Sequence, residues 1–127
     1  MKTRVFSIGF FLLFALSFNS KAQAAVDCKG NTPVDFLIPN VITPNNDGKN
    51  DEFKVVSSNL TKLHVEIFDR WGMKVYTLDG INAIWDGTAY GVVQAAGTYY
   101  YSVEYTSSCA PSQLLKTSGY FTLLRSN

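Results

Sequence analysis

The chain has 127 residues, of which 46% are hydrophobic, 14% aromatic and 17% charged. That apolar content supports one core, and the length supports one domain. A net charge of +1 excludes the basic footprint of a nucleic-acid binder, and one His with two Cys leaves little for a catalytic metal site or a Cys/His nucleophile pair.

Lys2 and Arg4 precede an apolar run from Val5 to Phe18, and Ala22-Gln23-Ala24 follows. A basic start, a short apolar centre and an A-x-A end predict a secretory signal peptide over residues 1–24. The run is shorter than the roughly 20 residues a spanning helix needs. Asp27 before Cys28 argues against lipid modification. Loss of Lys2, Arg4 and Lys21 with the signal turns the net charge from +1 to −2.

Residues 25–35 read as an N-terminal tail. Export would place Cys28 and Cys109 in an oxidising compartment, where a bridge between them is expected, two unpaired thiols being the alternative. Closing so long a loop stabilises by roughly 4.5 kcal/mol in the chain-entropy model.

From Phe36 onward the pattern has period two, broken by Gly, Pro, Asn and Asp, and no helix-period stripe occurs. Phe36 to Ile42 reads as extended, with Pro39 at an edge or bulge. The polar loop Thr43 to Asp51 follows. Its Asn45, Asp47, Asn50 and Asp51 could offer oxygen ligands to calcium. The EF-hand pattern fails, because Thr43 and Lys54 stand where it needs acids. The other reading is a turn whose Asn and Asp side chains bond their own backbone, with Gly48 left-handed.

Glu52 to Val56 reads as a short strand. Leu63 to Phe68 alternates, with Leu63, Val65 and Ile67 on one face; Asp69 to Gly72 turns the chain and Met73 to Thr77 returns. Trp85-Asp86-Gly87 marks a corner. There Trp85 is either a buried anchor or, with Trp71, a sugar-stacking platform. Gly97 to Thr106 puts Tyr99, Tyr101, Val103 and Tyr105 on one face, read as the inward one. Gly119 to Arg125 alternates Tyr120, Thr122 and Leu124 against Phe121, Leu123 and Arg125. About seven short strands without helices predict an all-β, antiparallel immunoglobulin-like β-sandwich over residues 36–127. No catalytic constellation is evident: His64 is alone, and Ser lacks a Gly-x-Ser-x-Gly elbow.

Taken in order, four motifs resemble a known family. They are Ile38-Pro39-Asn40-Val41-Ile42-Thr43-Pro44-Asn45-Asn46-Asp47-Gly48, Val65-Glu66-Ile67-Phe68-Asp69-Arg70-Trp71-Gly72, Trp85-Asp86-Gly87-Thr88 with Gly97-Thr98-Tyr99, and Gly119-Tyr120-Phe121-Thr122-Leu123-Leu124-Arg125. Together they resemble the gliding-motility-associated C-terminal domain, the type B sorting module of the type IX secretion system. Asn46 stands where that family usually has Gly, a mild change because Asn tolerates positive φ. The module usually closes a large cargo protein, whereas here only a short tail separates it from the signal.

The resemblance implies a secreted or cell-surface, non-enzymatic protein without cofactor, exported through the periplasm. Its implied partners are the type IX outer-membrane translocation machinery and a PorP-like membrane protein. An edge strand or the end loops could be what is read, and the final strand, Gly119, Tyr120, Phe121, Thr122, Leu123, Leu124 and Arg125, is the candidate. Trp71, Gly72, Trp85, Asp86, Gly87, Gly97 and Tyr99 are expected to be structural. A carbohydrate-binding module and a self-associating adhesin subunit are the alternatives.

Overall fold

The computed structural model describes residues 36–126. The signal peptide, the tail and Cys28 lie outside them. Seven strands run in the described chain: β1 Val41–Ile42, β2 Leu60–Phe68, β3 Lys74–Asp79, β4 Thr88–Ala89, β5 Val92–Val93, β6 Gly97–Ser107 and β7 Ala110–Leu123. There is no helix among them, so the fold is all-β, as the period-two pattern predicts.

One sheet has the order β1-β7-β6-β2-β3 and a two-stranded sheet pairs β4 with β5. The β2–β3, β2–β6 and β6–β7 pairs are antiparallel, but β1 lies parallel to β7, with Val41 beside Thr122 and Ile42 beside Leu123. The sheet is antiparallel as expected except at that one short pair. A chain crossing from one layer to the other enters beside its last strand in the same direction.

Alternation assigns the inward face as read. Leu63, Val65, Ile67, Tyr99, Val103, Tyr105, Phe121 and Leu123 are all buried. Facing them, the second layer consists of β4–β5 and segments joined by single bridges, Leu37 with Val56 and Phe53 with Trp85. Aromatic contacts cross between layers. Phe36 meets Tyr105 at 4.5 Å, Phe53 meets Phe121 at 4.5 Å, and Trp85 meets Tyr99 at 5.5 Å. The immunoglobulin-like sandwich thus closes over one aromatic core, with edge-on and tilted ring geometries that suit the ring quadrupoles.

Several strand boundaries differ from expectation: β1 is only Val41–Ile42, β2 begins at Leu60, β3 runs to Asp79, β7 stops at Leu123, and β4 and β5 add a short pair. Glu52 to Val56 forms no continuous strand, because Phe53 bridges Trp85 while Val56 bridges Leu37, two different neighbours. The last strand begins at Ala110, not Gly119. Cys109 belongs to the β6–β7 turn, where Ser107 Oγ accepts the amides of Cys109 and Ala110. Gly119 lies under the ring of Tyr101, its cross-strand partner, and a Cβ there would clash with the Tyr101 hydroxyl. An aromatic ring laid over a strand glycine restores the packing the glycine lacks.

Candidate functional site

The ends of β1, β2, β6 and β7 coincide. Register places Phe68 beside Tyr100 and Lys74, and Gly97 beside Leu123, which is itself beside Ile42. The loop after β1, the β2–β3 turn, the Trp85 corner and the residues after β7 therefore gather at one end of the sandwich. The Cys109 turn lies at the other end.

At the motif-bearing end each loop is built by its own carboxylate. Asp51 Oδ1 accepts the amides of Asn45 and Asn46, both at 2.9 Å, and Oδ2 accepts that of Gly48 at 2.8 Å. Asp47 Oδ1 takes the Lys49 amide, and Asn45 Oδ1 takes the Asp47 amide. Asn46, Gly48 and Asn50 have φ of 60°, 81° and 53°, left-handed conformations that Asn and Gly adopt most readily. Of the two readings of this loop, the geometry describes the self-bonded turn. Asn45 Oδ1, Asp47 Oδ1 and both Asp51 oxygens accept main-chain N–H groups of the loop, and Asp47 Oδ2 accepts the Asn45 side-chain amide.

The Asn45 amide foremost, with those of Gly48, Asn46 and Asp47, holds the Asp51 carboxyl below its ordinary pKa against a partial desolvation. A depressed folded-state pKa contributes stability that is present above the unfolded value and lost as pH falls through the folded one. Acid unfolding of wild type should therefore steepen below about pH 4. Asp51→Asn, measured by urea titration across that range, should show a shallower acid limb; an unchanged limb would refute the role of Asp51.

In the β2–β3 turn, Asp69 Oδ1 accepts the amides of Trp71 and Met73 at 2.9 and 3.0 Å, and Gly72 is left-handed at φ 77°. Trp71 is 77% exposed, with the Arg70 guanidinium 5.6 Å from its ring, and Met73 is 67% exposed. Across the end, Asp86 Oδ1 accepts the Thr88 hydroxyl and amide. That hydroxyl bond, more than the amide bond and the more distant Arg125 charge, lowers the Asp86 pKa. Trp85 is 1% exposed and its indole N–H donates to the Thr88 carbonyl at 2.6 Å. Trp85 is the buried anchor. A stacking platform shared by Trp85 and Trp71 is overturned by that burial. Tyr99 is buried too, its hydroxyl donating to the Ala95 carbonyl, and burial raises its pKa.

Gly87 joins these pieces. Its φ is 81°, and its carbonyl accepts both the Gln94 amide and Arg125 Nη2. Arg125 Nε also donates to the Gln94 carbonyl. The same glycine approaches Pro44 and Leu123 closely. Sequence reasoning did not find this clasp. The available signal was parity: Arg125 shares the inward face with Phe121 and Leu123, where a charge needs partners.

The candidate strand Gly119–Arg125 is only partly an open edge. The Thr122 and Leu124 amides donate to the carbonyls of Asn40 and Ile42. Phe121 and Leu123 are core, while Tyr120 and Leu124 are exposed. Main-chain recognition along its final residues is therefore already taken by β1.

These features define a small all-β domain whose motifs converge on one end, where the loops are locked by side-chain carboxylates and a guanidinium. The chain belongs to the CHU_C type IX secretion signal domain family, which it matches over residues 36–123. Membership carries a sorting-signal role in type IX export to the cell surface or medium, and the family is a sorting signal and not a catalytic domain. The fold resembles that of CopC from Methylosinus trichosporium OB3b, with TM-score 0.50 at 15% identity over 74% of this chain and 93% of that one. A chain of PorZ, an essential surface component of the type IX secretion system of Porphyromonas gingivalis, aligns with TM-score 0.43 at 18% identity over 71% of this chain. The match spans 11% of PorZ. No curated protein sequence matches the chain.

Proposed function

We propose that the chain is a non-enzymatic secreted protein whose sandwich is read, after passage through the periplasm, by the type IX outer-membrane machinery with a PorP-like partner. The carrying observation is the convergence of the four motif segments on one end, where Trp71, Met73 and Leu124 stay exposed beside loops fixed by Asp51, Asp69, Asp86 and Arg125. Exposed aromatic and Met side chains on a rigid platform are the groups that carry most interface energy. Recognition is proposed to fall on these side chains, with the last strand serving to position them. A Cys28–Cys109 bridge, also proposed, would tie the tail to the opposite end and leave the reading surface clear. A link to gliding motility belongs to the same proposal.

The test appends residues 25–127 to an exported reporter in a bacterium with a type IX system. Surface reporter is expected with the wild-type domain and should fall to background without the PorP-like partner. Trp71→Ser with Met73→Ser should also abolish it while leaving the melting temperature within a few degrees, since both side chains lie mostly in water. Undiminished surface export by that double variant would overturn the proposed reading surface.

A further inference from the structure

We infer that β3 is a self-complementary edge through which two copies of this chain pair antiparallel about Thr77. Among the described strands, β3 closes the sheet and pairs only with β2. The Gly80 amide donates to the Leu63 carbonyl, so the hydrogen-bonded pairs continue at Val65–Leu78 and Ile67–Tyr76. The main-chain N–H and C=O groups of Thr77 and Asp79 therefore point away from β2, with no strand beside them. An edge of this kind asks for an extended peptide.

The charges specify which peptide. A lysine at an edge ordinarily discourages a second copy. Here Lys74 stands at one end of β3 and Asp79 at the other, both on the outer sheet face, where they already pair with Glu66 and His64 of β2. Antiparallel pairing centred on Thr77 brings Lys74 of each copy within one position of Asp79 of the other. The result is a row of alternating sign across three strands, Glu66, Lys74 and Asp79, with the His64 imidazole beyond it on the fourth and Thr77 facing its own mate. Cross-strand opposite charges and Thr–Thr pairs both favour such a register.

The space beside the edge agrees with a second strand. A groove of about 260 Å³ runs between β3 and the β4–β5 turn, lined by Lys74, Val75, Tyr76, Thr77 and Tyr90. Tyr90 is 98% exposed and left-handed at φ 53°, a conformation aromatic residues seldom hold. In the two-fold register the Asp79–Gly80 end of the second copy enters this groove beside that ring. The other edge is less suited: β7 carries Pro111 and Lys116, and β1 covers its end.

Sedimentation equilibrium on the chain purified after export tests this. A contact of one short strand is small, so a dimer is expected between about 10 µM and 1 mM. Lys74→Asp and Asp79→Lys, each placing like charges together, should weaken it by about tenfold or more, and combining them should restore it. Thr77→Pro removes an outward N–H and none facing β2, so it should abolish the dimer with the melting temperature kept. A monomer throughout, or self-association indifferent to the charge reversals or to Thr77→Pro, would overturn the proposal.

Discussion

Trp85→Ala is expected to cost about 3–5 kcal/mol of folding free energy. The indole is 1% exposed and lies against two core rings, with centroids 5.5 Å from Tyr99 and 6.0 Å from Phe121, and against the exposed Tyr76 at 6.1 Å. Its removal leaves a cavity that β-layers on both sides cannot close without bending, and the Thr88 carbonyl loses its donor. The main chain at this position also bridges to Phe53 through two hydrogen bonds of 2.7 and 3.0 Å. A void here loosens the only ladder contact between those two segments. Domains of this size are stable by about 5–15 kcal/mol, so the loss should be a large fraction of the total. Urea unfolding measures it directly. Trp85→Phe, which keeps the ring but not the N–H, should cost less than half as much; a Trp85→Ala loss under about 1 kcal/mol would contradict the buried-anchor role.

Gly87→Ala is expected to cost about 2–4 kcal/mol, large for the addition of one methyl group. Two costs combine. A Cβ at φ 81° is strained wherever it sits, and here it would also meet Arg125 Nη2 at 2.7 Å, Leu123 Cδ1 at 3.3 Å and Pro44 Cγ at 3.4 Å. The guanidinium can move only by surrendering its bonds to the Gly87 and Gln94 carbonyls. Leu123 is wholly buried and has less room still. Gly72 supplies the control, because its φ of 77° is nearly the same and nothing lies within 4 Å of its Cβ position. Gly72→Ala should therefore show the backbone strain alone, about 1 kcal/mol. The excess of Gly87→Ala over Gly72→Ala, read from paired melting curves, isolates the crowding at the clasp. Equal losses would mean that the clasp does not constrain Gly87.

These two positions also show how far the sequence reaches. Trp85 and Gly87 stand out in the chain as a corner, because a large apolar ring followed by Asp-Gly can hardly be anything else. That Gly87 must stay Gly for reasons beyond its turn is invisible there. The reason is Arg125, 38 residues later, arriving from another strand. The polar loop is a similar case. Its composition admits a cation site or a self-bonded turn, and only the coordinates show Asp51 accepting three amides of its own loop.

Three strands were legible where one face is buried, whereas Glu52 to Val56, with Phe53 and Val55 inward, alternates without finding one continuous neighbour. Leu63, Val65 and Ile67, the Tyr99 to Tyr105 row, and Phe121 with Leu123 each repeat at every second residue because the pleat sends alternate side chains to the core. Strand extent was not legible at residues 110–118, where the chain prolongs a hairpin beyond the core and both faces are largely wet. Without a buried face there is no alternation to read. The stretch from Ala110 on is nonetheless the return arm of β6.

By itself, then, the chain dictates its periodicity, its turn chemistry and the side each residue presents, since all three depend on neighbours within a few positions. Which strands meet, that β1 joins β7 in parallel, that β3 keeps a bare edge, and that four scattered motifs share one end are settled by tertiary structure alone. Those features depend on pairings between residues tens of positions apart, and local alternation carries no label for the partner.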